Sequence, residues 1–397
     1  MGDHGPGPSV LSLYEGFFSG GARILHTAVV RSLDATTTQR HAVLSLTDRV
    51  ERELTPQPLE ADTSYRRLTA AGVPVTALHR TSDQPLTADQ LATLGRAVSD
   101  ADVVLSLKEQ PLVALSHLGF LTTPVLTCLH RSDPEHQGVA LEALVRLHDQ
   151  GLVRAAVCCA RSTQAAYHAA TGIPLDRLPV VPNGVDLHRF APDPDERARM
   201  RSELGIPAEA PVVLLAARFD EMKDVPLFVG AARHFVQEHP GAHLVLCGAG
   251  MAAANPALTE LLDAELGHWS GLVSQVHLLG IRRRMAPLYN AADLVALTSA
   301  FGEAAPLCLL EGMACGAVPV TTDVGDAAEM VGDPRLVTGR QPEAVARAWA
   351  AAYDVRAEHR ARLLRGRQRL SDQRCFDAYA ALVAAHVPVP SGLGLAG

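Results

Sequence analysis

Two doubly wound parallel α/β domains are the fold class that the sequence predicts, on three observations. Short apolar runs of strand length alternate along the whole chain with longer segments of helical period, the pattern of parallel strands joined by crossover helices. The runs are nearly continuous in apolar character rather than alternating, so each sheet is covered on both faces. The 397 residues exceed what a single core usually holds, which favours two domains.

In the first half the strands read as "SVLSLYE", "HAVLSL", "VPVTAL", "DVVLSL", "PVLTCL" and "AAVCC". In the second half they read as "PVVLLAA", "AHLVLCG", "VHLLG", "DLVALTS" and "AVPVTT". Between them "QGVALEALVRLHDQ", "VPLFVGAARHFVQEH" and "MAPLYNAADL" place apolar residues at i, i+3, i+4 and i+7, one face of a helix. The join falls near "VVPNGVDLHRFAPDPDE", a turn followed by a proline-rich polar stretch. The expected organisation is therefore a first domain over residues 1–185 and a second over 186–370. Residues 371–397 then hold a closing helix that crosses back to the first domain, and a tail. The arginine-rich "VRAEHRARLLRGRQRL" reads as a solvated amphipathic helix, and no repeat of solenoid period is present.

Composition narrows the function classes. With 48% hydrophobic and 20% charged residues the chain is an ordinary globular protein. A net charge of -8 with scattered Lys and Arg excludes a general attraction to nucleic acid or anionic membrane, so an anionic ligand must be held locally. No apolar stretch reaches membrane-spanning length, and "MGDHGPGPSV" lacks the pattern of a signal peptide, which predicts a cytoplasmic protein without integral membrane association. Seven cysteines without a Cys-x-x-Cys read as reduced core thiols.

Ligands of open α/β sheets bind beyond the carboxyl ends of the strands, so the residues that follow each apolar run carry the functional signal. Gly20 and Gly21 follow the first strand, His130 and Arg131 follow "PVLTCL", Arg218 and Lys223 follow "PVVLLAA", Gly250 follows "AHLVLCG" and Glu303 follows "DLVALTS". Glycines that admit backbone approach, two cations, a histidine and a carboxylate suit a ligand with a diphosphate and hydroxyl groups. Each alone has a plainer reading: a turn, a core histidine, surface charges. Gly248-x-Gly250-x-x-Ala253 also approaches a dinucleotide fingerprint, but the next strand ends in Gly280 and Ile281 rather than in an acid. A nicotinamide-dependent oxidoreductase is thus a minor alternative.

Glu303 and Glu311 flank "AAPLCLL". Pro306 is expected in the first turn of a helix that runs through "LCLLEGMAC" and stops at Gly316. Eight residues of helical rise separate the two backbones by about 12 Å. That exceeds the spacing of about 5 to 9.5 Å between the paired carboxyls of a glycosidase. One elongated ligand held at two places fits better, with the free amides around Ala305, Leu307 and Cys308 receiving phosphate between the carboxylates.

Together "GG" at 20–21, "VVPNGVDLHRF", "ARFDEMK", "LVLCGAG", "VHLLG", "LYNAADLVALTSAFGEAAPLCLLEGMACGAVPV" and "DVGDAAEMV" resemble the retaining glycosyltransferases of family 4. Their GT-B fold consists of two Rossmann-like domains facing a central cleft, and their Glu-x7-Glu motif matches Glu303 and Glu311. The resemblance implies that Glu303 contacts donor-sugar hydroxyls and Glu311 the ribose, while Arg218 and Lys223 neutralise the diphosphate. It implies that the amides of Ala305, Leu307 and Cys308 beside Pro306 hold phosphate oxygens. Gly20, Gly21 and Gly248 would admit the ligand closely, Ile281 would lie by the base through its backbone, and His130 would orient the donor sugar. The implied reaction is hexosyl transfer with retention, from a nucleotide diphosphate sugar such as a UDP-sugar to a small soluble acceptor: a secondary metabolite, cyclitol or sugar. No metal and no other cofactor is implied, and a homodimer is allowed. Asp224 and Ala304 stand where the family commonly has Gly, Gly312 where it has Ala, and Arg23 where an acid is frequent. An epimerase or phosphorylase, a pseudo-glycosyltransferase, and a non-catalytic sugar-nucleotide-binding module are the alternatives on the same architecture.

Overall fold

The computed structural model describes residues 7–17, 20–52, 55–119, 121–267 and 273–388. They divide into two compact units, one of Met1–Cys159, Thr163–Pro182 and Gln373–Gly397, the other of Ala160–Ser162 and Asn183–Asp372.

Unit 1 holds β1 (Ser9–Tyr14), β2 (Arg40–Ser45), β3 (Arg49–Arg52), β4 (Thr55–Pro58), β5 (Val75–Ala77), β6 (Val103–Leu107), β7 (Val125–Leu129) and β8 (Val153–Cys158). Six of these form a parallel sheet in the order β5-β2-β1-β6-β7-β8. Strands β3 and β4 pair antiparallel outside it. No strand is expected from the sequence there, because Thr55–Pro58 carries two prolines and Arg49–Arg52 is mostly charged; an isolated two-stranded pair tolerates both.

Unit 2 holds β9 (Val212–Ala216), β10 (His243–Cys247), β11 (Val276–Leu278), β12 (Leu294–Leu297), β13 (Val318–Thr322) and the two-residue β14 (Val337–Thr338), which is too short to register as an apolar run. Its sheet is parallel in the order β11-β10-β9-β12-β13-β14. In each unit the chain first builds outward from a central strand and then returns to its other side. The crossovers therefore diverge between β1 and β6 in unit 1 and between β9 and β12 in unit 2, and such a switch point leaves a crevice at the carboxyl ends of the two strands.

The side chains of the inner strands β1, β6, β7, β9, β10, β12 and β13 are buried almost throughout on both faces, as the continuous apolar runs require, while β5, β11 and β14 are partly exposed. In unit 2 the fully buried Trp349 of the helix Pro342–Asp354 meets Phe228 and Phe235 of the helix Val225–Glu238 at ring distances of 5.1 and 5.8 Å. In unit 1 the helix Gln373–His386 sets Val383 among Val10, Val103, Leu105 and Leu126.

The arginine-rich segment departs from its expected solvated state. Arg362 pairs with the buried Asp333 at 2.8 Å, and Arg367 donates to the carbonyls of Ala314, at 2.9 Å, and Phe190, at 2.6 Å. Arg367 thus satisfies a carbonyl in the last turn of the helix Leu307–Cys315, where a cation also complements the helix dipole. Periodicity alone does not distinguish such capping arginines from solvated ones.

Gly312 lies in the middle of that helix. A Cβ there would stand 2.7 Å from Val295 Cγ2 on β12, so the glycine lets the helix settle onto the sheet. Alanine at an exposed helix glycine stabilises by about 1 kcal/mol. Here overpacking reverses the sign: Gly312→Ala is expected to lower stability by about 1–3 kcal/mol. Thermal unfolding of Gly312→Ala, Val295→Ala and the pair checks this, the pair losing less than the sum of the single changes.

Candidate functional site

In unit 2 the crevice between β9 and β12 brings together two loops from distant parts of the sequence. The first leaves β9 at Ala217, whose N–H donates to the Cys247 carbonyl at 2.9 Å, while Phe219 N–H donates to Ala249 at 2.8 Å. Gly248 sits inside this zipper, where a Cβ would lie 1.9 Å from the Ala217 carbonyl oxygen, so only glycine fits. No helix opens at Gly248-x-Gly250; the next one starts at Pro256. The glycines therefore serve loop-to-loop packing, and the dinucleotide lookalike lacks the helix start it needs.

Asp220 organises the rest of that loop. Its carboxylate pairs with Arg218 at 2.8 Å and accepts the N–H of Lys223 at 3.1 Å, capping the turn Glu221–Lys223. Asp224, in place of the glycine of the resembling family, adopts a left-handed conformation with φ 45°. It compensates by accepting the Leu227 N–H at the start of the next helix, at 3.2 Å, and by pairing with Arg340 at 2.8 Å. The loop keeps a glycine-like path despite the substitution.

The second loop leaves β12 at Thr298, whose hydroxyl donates to the Lys223 carbonyl at 3.0 Å, and Ala300 N–H donates to Met222 at 2.8 Å. The two loops are thus pinned together. Glu303 is 6% exposed, and its Oε1 accepts from Ser299 Oγ at 2.7 Å and from Lys223 Nζ. This buried pair, with Ser299 as third member, is the electrostatic centre of unit 2's crevice. Asn183 Nδ2 donates to the Ala305 carbonyl at 2.8 Å and fixes the loop just before the helix.

Pro306 is the N-cap residue rather than part of the first turn, with φ -65° and ψ 118°, and the helix starts at Leu307. The N–H groups of Leu307 and Cys308 have no hydrogen-bond partner among the described residues, so they are available to an anion. Cys308 is half-buried, and burial pushes its thiol up to about 12, so it is neutral. One turn further, Glu311 is half-buried and accepts the hydroxyl of Tyr289, which is wholly buried. Burial first, and then the carboxylate of Glu311, push the Tyr289 hydroxyl well above its usual range, so it remains a donor. Ile281, after β11, is 57% exposed.

Unit 2 therefore collects Arg218, Lys223, Glu303, Ala305, Pro306, Leu307, Cys308 and Glu311 around one crevice and its adjoining helix. Sequence reasoning missed Ser299, Tyr289, Asp220 and Asn183, which hold them. The signal for Asp220 and Ser299 was their position just beyond β9 and β12. Nothing local marks Tyr289 or Asn183.

Gly20, Gly21 and His130 belong to unit 1. Gly20 caps the helix Gly21–Thr36 in an extended conformation that any residue adopts, and a Cβ there meets nothing within 4 Å. The fold itself does not demand a glycine at this position. His130 follows β7 with its Nε2 buried and without a hydrogen-bond partner. Lys108 stands nearby in a left-handed turn at the end of β6, where Ser106 Oγ donates to its carbonyl at 2.8 Å. Burial, with the Lys108 charge added, pushes the imidazole of His130 down to about 3. Burial likewise pushes His26 to about 3 and His41 to about 4.

The pH dependence follows. An unfolded histidine titrates near 6.5, whereas these three stay neutral when folded, so the unfolded chain binds more protons as pH falls below that value. The share of stability that these three histidines contribute is full above about pH 7 and is lost progressively as pH falls towards 4. Denaturant unfolding between pH 7.5 and 5 is expected to show this decline, and His130→Gln should remove about one proton from its slope.

Among the described residues no three His, Cys, Asp or Glu side chains form a group that could hold a metal ion, and no helix is long and apolar enough to cross a membrane.

Residues 210–354 match the family of glycosyl transferases, group 1. The matched segment contains all six strands of unit 2, both crevice loops and the helix Leu307–Cys315. The chain is also similar to two D-inositol 3-phosphate glycosyltransferases. That of Xylanimonas cellulosilytica is 37% identical over 221 residues, 53% of this chain and 51% of the relative. That of Thermobispora bispora is 32% identical over 231 residues, 56% of this chain and 51% of the relative. The chain spans about half the length of these curated relatives. Among solved structures, Anabaena HepE in complex with UDP and glucose superposes with a TM-score of 0.77 at 20% identity, covering 96% of this chain and 100% of the other. Sucrose-phosphate synthase of Thermosynechococcus elongatus gives 0.66 at 18% identity, covering 95% and 100%. The fold is GT-B: two parallel six-stranded Rossmann-like sheets with flanking helices.

Proposed function

We propose that the chain is a retaining glycosyltransferase of the family 4 kind, moving a hexosyl group from a nucleotide diphosphate sugar to a hydroxyl of a small acceptor. The observation that carries this reading is the buried Lys223–Glu303 pair at the switch point of the group 1 segment, beside two open helix-start amides. An ammonium has three donors, so Lys223 is able to hold a phosphate oxygen while still touching Glu303. The diphosphate would lie on the amides of Leu307 and Cys308 with Arg218 and Lys223 supplying positive charge, a role that a bound metal would otherwise fill. Glu303 and Glu311 would then accept hydroxyls of the sugar and of the ribose.

In the reaction the bond from the anomeric carbon to the diphosphate oxygen breaks and the acceptor oxygen forms its bond on the same face. The acceptor proton passes to the departing phosphate. Lys223 and Arg218 stabilise the charge that develops there, where fixed cations contribute most to rate. His130, neutral and with an unmatched Nε2, is proposed to orient a sugar hydroxyl. Gly20 and Gly21 are proposed to leave room for the ligand, and the backbone at Ile281 to adjoin the base. Uridine is the first nucleotide to try, since HepE was solved with UDP.

The test follows UDP release from UDP-glucose with and without hydroxylated acceptors, together with the anomeric configuration of the product. Acceptor-dependent release with an α-linked product supports the reading. Sugar released or rearranged without an acceptor points instead to an epimerase or phosphorylase, and no turnover with any sugar nucleotide points to a binding module.

A further inference from the structure

The loop that carries Arg218 and Lys223 is poor in net positive charge. Its two cations share residues 218–224 with Asp220, Glu221 and Asp224, and Lys223 also meets the carboxylate of Glu303. Two cations against four carboxylates make a weak cradle for a diphosphate, which is itself strongly anionic. Asp220 and Glu303 are each paired with one of those cations, and Glu221 is exposed, where water and salt screen it. Asp224 is different: it directly follows Lys223, is only 20% exposed, and its ion pair is made with a residue outside the loop. That residue is Arg340, 116 positions further along the chain, whose Nη2 donates to Asp224 Oδ2 at 2.8 Å. The other oxygen, Oδ1, accepts the Leu227 N–H at 3.2 Å, so each carboxylate oxygen has one partner. Helix packing gives Arg340 its reach. Pro342, which opens the helix Pro342–Asp354, lies so close to Gly230 of the helix Val225–Glu238 that a Cβ there would stand 3.2 Å from its Cγ. This contact holds the start of the second helix, just after Arg340, near the first turns of the helix that Asp224 caps.

We propose that Arg340 is a positioning residue of the donor site that acts through Asp224: it cancels the half-buried carboxylate that no cation of the loop answers, and so lets Arg218 and Lys223 receive a diphosphate. The proposal rests on the glycosyl-transfer reading above. A glycine after the lysine would bring no charge and need no such partner; Asp224 brings a negative charge to the residue next to Lys223, and Arg340 answers it. The plainer role for this pair is to hold the fold. Arg340 is 51% exposed, however, and an ion pair with one exposed member contributes little to stability. Its effect therefore falls on the electrostatic field at the loop, where an anion feels the sum of fixed charges.

The experiment is titration calorimetry of UDP on the full chain, as wild type, Arg340→Ala and Asp224→Asn/Arg340→Ala, with thermal unfolding in parallel. Arg340→Ala should weaken UDP about tenfold while its melting temperature stays within about 3 °C of wild type. The double variant should bind UDP within about twofold of wild type, because asparagine keeps the helix cap and tolerates a left-handed backbone while dropping the charge. Raising NaCl from about 50 to about 500 mM should shrink the difference between wild type and Arg340→Ala to about twofold, since salt screens the uncancelled carboxylate. UDP binding by Arg340→Ala within about twofold of wild type at low salt overturns the proposal. So does a loss that Asp224→Asn does not rescue or that salt leaves unchanged, either of which makes the pair a structural tie alone. In all three cases UDP still binds the wild type and the donor reading stands. UDP that fails to bind the wild type overturns the donor reading, and the role of Arg340 with it.

Discussion

Lys223→Ala is expected to lower kcat/KM for the sugar nucleotide by about 10³-fold and to lower the melting temperature as well. On the proposed reaction the first effect follows from removing a fixed cation from the position where the leaving diphosphate would gain charge, a loss that typically costs 10² to 10³ in rate for one donor. The second follows from the burial of the pair, whose side chains are 14% and 8% exposed. Deleting one member leaves the carboxylate of Glu303 in a place water hardly reaches without its cation, although Ser299 still donates to it, and breaking such a pair costs about 3–5 kcal/mol. The two effects separate in a double variant. Lys223→Ala with Glu303→Gln removes the stranded charge, so thermal unfolding should recover much of the lost stability while turnover stays at least as low as in Lys223→Ala. If Lys223→Ala alone transferred sugar within about tenfold of wild type, the role given to the crevice would be wrong.

Glu311→Ala is expected to raise KM for the donor by about 10²-fold with a smaller change in kcat. A contact to the ribose is made equally in the ground state and the transition state, so its loss appears as uniform binding. Truncating Glu311 also strands the Tyr289 hydroxyl, which is wholly buried, at a cost of about 1–3 kcal/mol. Tyr289→Phe in the Glu311→Ala background should therefore restore stability without restoring KM. Tyr289→Phe alone should raise KM by roughly tenfold, since it frees the carboxylate to turn away while keeping its charge. Steady-state kinetics over donor concentration and thermal unfolding of the four proteins check this set.

The strand-end reading reached Arg218, Lys223 and Glu303 because the order of a doubly wound sheet converts sequence position into spatial position. Whatever follows β9 must meet whatever follows β12 when those strands are neighbours at the switch point. The sequence could not show that Lys223 and Glu303 meet each other directly, since that depends on the loops being pinned through Thr298 and Ala300. Tyr289 escaped notice for the same reason: it reaches Glu311 from another helix and looks in sequence like an ordinary core aromatic. Gly312 could be flagged as a departure, but its cause lies in Val295 on the strand beneath.

The central claim is that unit 2 holds a diphosphate through Lys223, Arg218 and the start of the helix Leu307–Cys315. Thermal stabilisation by uridine, UMP and UDP, each at the same concentration, tests it most directly, because a ligand raises the melting temperature in proportion to its binding free energy. UDP should stabilise the protein clearly more than UMP, and uridine least, with the advantage of UDP over UMP lost in Lys223→Ala/Glu303→Gln. Equal stabilisation by UMP and UDP, or an advantage of UDP that persists in that variant, would contradict the claim.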